Sequence, residues 1–314
     1  MKDQFDREIT YLRVSITDLC NLRCRYCMPD GVCRKRHEDI LTFEEITEIV
    51  AAAAELGISK IRITGGEPLV RRGCAELCGM IARIDGIREI DLTTNGVLLP
   101  RYAAALKEAG VTRVNISIDS LDPEKYARIT GGGVLADALA GIEAAAAAGL
   151  TPIKLNTVLI GGFNDDEIPS FVELTRKTPV ELRFIELMPM GGHFGPEAYL
   201  PGDTVLQRVP ELAPLPENGG VARLYRLPDG RGRVGLISPL SRHFCATCNR
   251  LRLTSEGNLK PCLHSSQEIP IRGKHGDELL QTLREAIFAK PRMHGVLDAE
   301  HRSEAGRTMN TIGG

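Results

Sequence analysis

The 314-residue sequence predicts an α/β fold, because short segments rich in β-branched residues alternate with longer segments of helical periodicity. Strands that alternate with helices imply a parallel sheet with right-handed crossovers. Six such strands favour an incomplete (β/α)6 barrel of the TIM type, and an open doubly wound sheet is the second choice. A smaller C-terminal α+β extension completes the predicted fold.

The alternation of strands and helices runs from residue 11 to residue 187. Gly57, Gly110 and Gly149 follow three of the helical segments, where a glycine commonly caps a helix. The predicted strands are residues 11–17, 60–64, 89–94, 114–119, 153–159 and 180–187. The predicted helices are residues 42–56, 74–84, 100–109, 134–148 and 165–176.

After residue 187 the pattern changes to connectors rich in glycine and proline, followed by shorter strands. Residues 228–232 and 255–257 have turn composition and lie between strand-like segments, which predicts two hairpins. A helix over residues 277–289 and a polar tail finish the chain. We therefore predict a partial barrel over residues 1–220 and a C-terminal region over residues 221–314.

The 39 Lys and Arg residues nearly balance the 41 Asp and Glu residues, which predicts no overall attraction to nucleic acid or to an anionic membrane. The first ten residues lack the apolar core of a signal peptide, and no apolar run has the length of a membrane span. We expect a cytoplasmic protein with reduced thiols. An odd number of cysteines, nine, excludes a fully disulfide-paired monomer.

Six of the nine cysteines fall into two groups that are far apart in the sequence. The first group, Cys20, Cys24 and Cys27, has the spacing C-x3-C-x2-C, which supplies three thiolate ligands and leaves a fourth position open. This spacing favours an iron–sulfur cluster over zinc without excluding zinc. The cysteines outside both groups are Cys33, Cys74 and Cys78, and we expect the last two to pack inside a helix.

The second group consists of Cys245, Cys248 and Cys262. With His264 as a fourth ligand these residues would form an ordinary zinc site, and spacing alone gives zinc and an iron–sulfur cluster equal weight. The segment 249–252 that follows has two arginines on one strand face. A closed structural zinc site does not need these cations, whereas a site for a phosphorylated ligand does.

One face of the predicted strands is polar, although strands of a parallel sheet are usually apolar on both faces. Alternate residues share a face, and the other face carries Leu, Val, Ile or Phe. The polar face comprises Arg13, Ser15, Thr17, Arg62, Thr64, Asp91, Thr93, Asn115, Ser117, Asp119, Lys154, Asn156 and Arg183.

The charges on this polar face do not balance, because four cations share it with Asp91 and Asp119. A core of paired ions is the alternative interpretation, but internal pairing would satisfy about half of the cations, and an unpaired buried charge costs several kcal/mol. We therefore expect a solvated lumen that receives an anionic ligand. The first cysteine group begins at the C-terminal end of the first strand, where barrel enzymes place their chemistry.

The run C-NLR-C-RY-C, together with Thr64-Gly65-Gly66-Glu67-Pro68 after the second strand, resembles the radical S-adenosylmethionine superfamily. The resemblance implies that Cys20, Cys24 and Cys27 hold a 4Fe–4S cluster whose fourth iron binds S-adenosylmethionine. One electron from that cluster would release a 5′-deoxyadenosyl radical. The positions that match S-adenosylmethionine contacts are Tyr26, Gly66, Ser117 and Met188.

The segment SRHFCATCNRLRLTSEGNLKPCL, with LRVSITDLCNLRCRYCMP, ITGGEPLVRR, LTTNG, VNISIDSLD and RFIELMPM, resembles the GTP 3′,8-cyclase family over nearly the whole chain. This resemblance implies a second 4Fe–4S cluster on Cys245, Cys248 and Cys262, whose open iron meets guanine, and it makes His264 a bystander. The positions that match GTP contacts are Arg13, Arg62, Thr93, Lys154, Arg250 and Arg252, and we place Arg183 beside them. Gly313 and Gly314 match a catalytic glycine tail that reaches the active site.

The implied reaction is that of a lyase in molybdenum cofactor biosynthesis. Hydrogen is removed from C3′ of GTP, C3′ attacks guanine C8, and the product is (8S)-3′,8-cyclo-7,8-dihydroguanosine 5′-triphosphate. The implied partners are a reducing electron donor and a downstream cyclic pyranopterin monophosphate synthase, and the chain would act as a monomer or homodimer. Two alternatives are a radical enzyme with a peptide or other substrate and a non-catalytic zinc or iron scaffold.

Overall fold

The computed structural model describes residues 1–28, 31, 35–190, 194–216, 219–298 and 301–313. Within these ranges twelve strands form one sheet in the order β12-β11-β10-β1-β2-β3-β4-β5-β6-β9-β8-β7. The strands are β1 Tyr11–Ser15, β2 Lys60–Thr64, β3 Glu89–Thr94, β4 Arg113–Ser117, β5 Lys154–Leu159, β6 Glu181–Glu186, β7 Ala213–Pro214, β8 Arg223–Arg226, β9 Arg233–Ile237, β10 Arg250–Leu253, β11 Asn258–Lys260 and β12 Ile269–Pro270.

Helices follow each of the first six strands along the chain and pack on one face of the sheet. Rows of buried residues on that face cross the strands, such as Ile116 beside Leu155 beside Leu182. The helices are α1 Phe43–Glu55, α2 Cys74–Ala82, α3 Leu99–Glu108, α4 Pro123–Thr130, α5 Leu135–Ala147, α6 Ile168–Lys177, α7 Thr204–Arg208, α8 Gly276–Phe288 and α9 Met309–Ile312.

The strand order confirms the predicted α/β class and is consistent with a TIM-type barrel. Strands β1 to β6 are neighbours in chain order and parallel. A doubly wound sheet would reverse its strand order at a switch point, and this sheet does not. The second choice for the fold was therefore wrong.

The C-terminal region extends the same sheet at both edges. Strand β10 pairs parallel with β1, and β9 pairs parallel with β6, so eight adjacent strands run parallel. Both predicted hairpins are present, as the antiparallel pairs β8–β9 and β10–β11. Because β10 lies beside β1, the second cysteine group is brought to the same part of the sheet as the first strand.

Helix α4 is the one long element that the sequence analysis missed within the described barrel. It begins at Asp122, whose carboxylate accepts hydrogen bonds from the backbone N–H groups of Glu124 and Lys125, both at 2.9 Å. It ends at Gly131, which has a positive φ of 70°. An Asp followed by Pro is a recognised signal for a helix start, so the information was present in the sequence.

Cys74 and Cys78 lie in α2 and are buried in the hydrophobic core, as predicted. Cys33 lies outside the described residues. No single helix in the described ranges is long and apolar enough to cross a membrane, while the α4–α5 pair, bent by 95°, passes that test by length and composition only.

Close packing between α5 and the loop after β3 generates a stability prediction. A Cβ added at Gly141 would stand 2.1 Å from the carbonyl oxygen of Gly96, and backbone cannot yield as a side chain can. We expect Gly141→Ala to lower the free energy of unfolding by about 1–3 kcal/mol, measured by chemical denaturation.

The matched control is Gly79→Ala in α2, where the nearest atom to the added Cβ is 3.8 Å away. Replacing a helix-interior glycine where the added methyl group makes only ordinary van der Waals contact should raise the free energy of unfolding by about 0.5–1 kcal/mol. Equal effects at the two positions would contradict the packing argument.

Candidate active site

A cavity of about 610 Å³ lies against the polar face of the sheet, and we call it the lumen. All six cysteines of the two groups line it. The lumen is also lined by all seven residues that were predicted to contact the anionic substrate, namely Arg13, Arg62, Thr93, Lys154, Arg183, Arg250 and Arg252. The residues predicted to contact S-adenosylmethionine that line it are Tyr26, Gly66, Ser117 and Met188.

Strand register places three arginines of the lumen side by side. Arg252 pairs with Arg13 across β10 and β1, and Arg13 pairs with Arg62 across β1 and β2. Adjacent strands are about 4.8 Å apart, so the backbones of these arginines form a closely spaced row. Asp91 of β3 ends the row, and Arg62 Nη2 donates to its Oδ2 at 2.6 Å.

On the barrel strands, two lumen cations were missed by the sequence analysis, namely Lys60 and Arg113. Both contact Asp91, with Lys60 Nζ at 3.1 Å from Oδ2 and Arg113 Nε at 2.9 Å from Oδ1. Lys60 stands two residues before Arg62, and Arg113 two residues before Asn115. The alternation that identified the polar face would have found both if it had been continued to the start of each strand.

At the other side of the lumen, Glu181 is the carboxylate shared by several cations. Its Oε1 lies 3.4 Å from Lys154 Nζ and accepts from Arg183, and its Oε2 accepts from Arg233 Nε at 2.7 Å. Asp119 forms no ion pair with a lumen cation in the described residues and instead accepts from Tyr26 and from the Val158 backbone. The lumen therefore contains paired ions, as the alternative interpretation held, together with cations in excess of the carboxylates.

The pKa values of three lumen cations are lowered by burial and by repulsion from neighbouring cations. Burial, followed by repulsion from Arg250, lowers the pKa of Arg252 to about 10. Burial and repulsion from Arg252 lower the pKa of Arg13 well below its ordinary value. Burial and repulsion from Arg183 lower the pKa of Lys154 to about 7. A bound anion would relieve each of these unfavourable interactions.

Several buried polar atoms of the lumen have no hydrogen-bond partner among the described residues. They include Thr93 Oγ1, Asn115 Oδ1 and Asn156 Oδ1. Buried polar atoms in native proteins are nearly always hydrogen-bonded to protein, water or ligand. These three atoms lie on neighbouring strands of the lumen wall, which fits a polar ligand seated there.

The first cysteine group lies in the loop after β1, and α4 supports this loop. The backbone N–H groups of Arg23 and Arg25 donate to the carbonyls of Thr130 and Ile129 at 2.8 and 3.0 Å. Both acceptors belong to the last turn of α4, so the missed helix positions the segment on which the thiols are spaced.

The three thiols of this group are poorly suited to ionise by themselves. Burial raises the pKa of Cys27 to about 12, and burial followed by the charge of Asp119 raises the pKa of Cys24 well above its usual range. Burial also raises the pKa of Cys20. A coordinated metal deprotonates such a thiol outright, so this donor set fits a thiolate-bound cluster.

Gly66 and Glu67 join the loop after β2 to the cysteine loop. A Cβ on Gly66 would stand 2.4 Å from the carbonyl oxygen of Leu19, so only glycine permits this close backbone approach. The buried carboxylate of Glu67 accepts from the Asn95 backbone N–H at 2.7 Å, and Asn95 Nδ2 in turn donates to Cys20 Sγ at 3.8 Å. Burial raises the pKa of Glu67 to about 7.

Tyr26 is fixed beside the first cysteine group by Asp119. Its hydroxyl donates to Asp119 Oδ2 at 2.8 Å, and the Val158 N–H donates to Oδ1 at 2.9 Å. Burial raises the pKa of Asp119 to about 6. Ser117 stands two residues before Asp119 and lines the same part of the cavity wall.

The second cysteine group is assembled from two segments of the C-terminal region. Cys245 and Cys248 precede β10, and the β10–β11 hairpin returns the chain so that Cys262 lies in the same cavity wall. Burial acts to raise the pKa of Cys248, but the charges of Lys290 and Arg250 outweigh it and lower that pKa to about 7. The two groups thus have opposite electrostatic surroundings.

His264 lines the lumen close to Cys262, and its Nδ1 lies 3.1 Å from Ser303 Oγ. Burial, followed by repulsion from His294, lowers the pKa of His264 to about 3, which keeps its ring neutral. In the described ranges no three His, Cys, Asp or Glu side chains are arranged to hold a single metal ion. A four-iron cluster does not require that arrangement, because its thiolates bind different irons.

The chain end reaches the lumen. The carbonyl of Gly313 accepts from Arg252 Nη1, and a Cβ at Gly313 would stand 2.3 Å from Thr64 Oγ1. Gly313 also has a positive φ of 79°. Both the close approach to Thr64 and this backbone conformation therefore favour glycine here. Gly314 lies outside the described residues.

Arg71, the first arginine of the segment ITGGEPLVRR, supports the loops around the site. Its guanidinium donates to the carbonyls of Ile16 at 2.6 Å and Leu41 at 2.7 Å, and stacks 4.3 Å from the Phe43 ring. Arg71 does not line the lumen. Arg72 does not line it either, and its side chain is exposed to solvent.

Comparison with known proteins gives two family matches along the chain. Residues 14–175 match the Radical SAM superfamily, and residues 180–296 match the Molybdenum Cofactor Synthesis C family. The GTP 3′,8-cyclase of Alkaliphilus oremlandii is 54% identical over 321 positions, covering 100% of both chains. The GTP 3′,8-cyclase of Moorella thermoacetica is 50% identical over 325 positions, again covering 100% of both.

Among solved structures, Streptococcus suis SuiB shares the fold with a TM-score of 0.63 at 13% identity, and the match covers 90% of this chain and 66% of that one. Full-length identity of about half, combined with both family matches, leaves no ambiguity of family. The chain belongs to the GTP 3′,8-cyclase family within the radical S-adenosylmethionine superfamily.

Proposed function

We propose that this chain is a radical S-adenosylmethionine lyase that converts GTP to (8S)-3′,8-cyclo-7,8-dihydroguanosine 5′-triphosphate, the first step of molybdenum cofactor biosynthesis. The observation that supports this most directly is the cation-rich lumen with a three-thiol group at each of two places in its wall. Family membership adds the two 4Fe–4S clusters and S-adenosylmethionine as cofactors. A triphosphate supplies the negative charge that this lumen lacks.

The lumen arginines are proposed to hold the triphosphate. A triphosphate carries about four negative charges, and hydrogen bonds to charged groups contribute roughly 1.5–3 kcal/mol each. Arg13, Arg62 and Arg252 stand on adjacent strands, and Lys154 and Arg183 face them from the other half of the sheet. Thr93, on the strand beside Arg62, offers a hydroxyl whose oxygen lacks a partner among the described residues.

The first group's end of the lumen is proposed to hold S-adenosylmethionine against Tyr26, Gly66, Ser117 and Met188. When bound, the cluster on Cys20, Cys24 and Cys27 supplies the electron that turns this cofactor into a source of a hydrogen-abstracting carbon radical. The chain's residues align the ribose of GTP with that end and exclude water. Gly313, held by Arg252, contributes backbone without a side chain to this enclosed space.

The C-terminal region, residues 221–314, is proposed to hold the second cluster on Cys245, Cys248 and Cys262 and to orient guanine through its open iron, with Arg250 nearby. The barrel part, residues 1–220, holds the first cluster.

We further propose a cytoplasmic location, a reducing electron donor, a downstream cyclic pyranopterin monophosphate synthase, and a monomeric or homodimeric state.

The test of this function is anaerobic loading with iron and sulfide, incubation with S-adenosylmethionine, GTP and a reductant, and mass spectrometry of the products. We expect about eight irons per chain, 5′-deoxyadenosine, and an isomer of GTP distinguished by retention time and fragmentation. The Cys24→Ala variant should form neither product and keep about four irons, because the second cluster does not depend on Cys24.

Cys78→Ala is the matched control, since Cys78 is buried in α2 away from the lumen and its variant should keep both products. Two zinc ions with no iron would identify a scaffold and contradict the enzymatic function. Cleavage of S-adenosylmethionine that responds to a peptide and not to GTP would favour the alternative radical enzyme.

The lowered pKa of Lys154 predicts a pH dependence of GTP binding. In the free lumen the pKa is about 7, and a bound triphosphate raises it. The contribution of Lys154 to GTP affinity is therefore complete below about pH 7 and declines, by at most about tenfold per pH unit, as the pH rises above it. Binding is measured by calorimetry from about pH 6 to about pH 9.

Lys154→Arg is the control, because a guanidinium stays protonated over this range and removes the lysine's share of the pH dependence. GTP's own ionisation affects both proteins equally and cancels in the comparison. Identical pH slopes for the two proteins would show that Lys154 does not face the triphosphate.

A further inference from the structure

Lys290 follows α8 and has its ammonium buried within the second cysteine group, with 2% of the residue exposed. Its Nζ donates to the carbonyl of Arg250 and to the carbonyl of Pro261, both at 2.8 Å. Arg250 stands two residues after Cys248, and Pro261 immediately precedes Cys262. One ammonium thus joins the two chain segments on which these thiols are placed.

The negative charge that faces this ammonium comes from the thiols. The opposite charges that act on Lys290 most strongly are those of the Cys248 and Cys262 thiolates. Among the described residues, the charges that act most strongly on Lys290 include no carboxylate. A buried cation without a carboxylate partner is costly unless another negative group compensates it.

The segment that bears Lys290 is itself fixed to the third cysteine. Arg7 donates to the carbonyl of Cys245 at 2.8 Å and to the carbonyl of Pro291 at 2.7 Å. Its Nε is held by the buried carboxylate of Asp3 at 2.6 Å. Arg7 and Lys290 together connect all three cysteine segments through backbone carbonyls, so the ammonium has a fixed position relative to the thiols.

We propose that Lys290 is a positioning residue for the second 4Fe–4S cluster, which holds the Cys248 and Cys262 segments together and supplies the positive charge that favours the reduced cluster. The reduction potential of such a cluster depends on net charge and on hydrogen bonds to its sulfurs. The first group has different surroundings, because the carboxylates of Asp119 and Glu67 act on Cys24 and Cys20, and the cation beside it, Arg23, donates to the carbonyls of Cys20 and Leu22. This inference rests on the proposed ligand set of the second cluster.

The test uses Lys290→Gln, which keeps hydrogen-bond donors without the charge, and Lys290→Met, which keeps neither. We expect both variants to shift the one-electron equilibrium of the second cluster toward the oxidised state by at least tenfold, or about 59 mV. The measurement is a potentiometric titration followed by electron paramagnetic resonance on the full-length, fully loaded protein. Repeating it in the Cys24→Ala background assigns the signal to the second cluster.

Lys260→Met is the matched control. Lys260 is fully buried two residues before Cys262, but its Nζ donates to the carbonyl of Ser265 at 2.7 Å and to Glu268 Oε1 at 3.3 Å. We expect its removal to leave the potential unchanged, because its charge is compensated by Glu268. An equal shift of the potential in Lys260→Met would show that removing any buried charge in this region has the same effect. That result would overturn the proposal.

The remaining outcomes are also decisive. Loss of the second cluster's iron from both Lys290 variants, with iron retained in Lys260→Met, supports the holding role. Full iron content with an unchanged potential in Lys290→Gln and Lys290→Met overturns the inference while leaving the proposed function intact. Absence of the second cluster from the unsubstituted protein overturns the proposed ligand set before any Lys290 variant is made.

Discussion

The buried positive charge of the lumen is the constraint on which the rest of the site depends. Parallel register fixes Arg252, Arg13 and Arg62 on adjacent strands, so the backbones that carry these guanidinium groups cannot separate without disrupting the sheet. An uncompensated buried charge costs several kcal/mol, against a total stability of about 5–15 kcal/mol for a typical domain. Asp91 and Glu181 offset part of this cost by each contacting several cations. The opposite face of the same strands is apolar and packs on the helices. This packing stabilises the fold enough to offset the cost of the buried charges that Asp91 and Glu181 leave uncompensated.

The two thiol groups share this cavity but differ in their electrostatic surroundings. Burial and the carboxylate of Asp119 disfavour ionisation of Cys24, whereas the charges of Lys290 and Arg250 favour the thiolate of Cys248 despite burial. Nearby negative charge favours the oxidised state of a cluster, and nearby positive charge favours its reduced state. If the clusters bind as proposed, the first would therefore lie beside negative charge and the second beside positive charge.

Local patterns predicted most of this fold and much of this site. Alternation along each strand identified the polar face, because side-chain direction in a strand depends on sequence position alone. The sharing of Asp91 among Arg62, Lys60 and Arg113 was not predictable, because it depends on which strands are neighbours and in which register. For the same reason the sequence indicated a separate extension, whereas β10 and β9 join the barrel strands at opposite edges. Pairing between distant segments leaves no local pattern.

That edge pairing also places one guanidinium where it contacts the chain end and could contact the proposed substrate. Strand β10 lies beside β1 and β2, so Arg252 faces both the arginine row and the space next to Thr64 that Gly313 enters. A guanidinium has five N–H donors, and Gly313 accepts from a single nitrogen, Nη1. A guanidinium can therefore donate to a phosphate oxygen and to the Gly313 carbonyl through different nitrogens. Binding of both would lower the desolvation cost of Arg252 further than either alone, which links the position of the tail to the occupancy of the lumen.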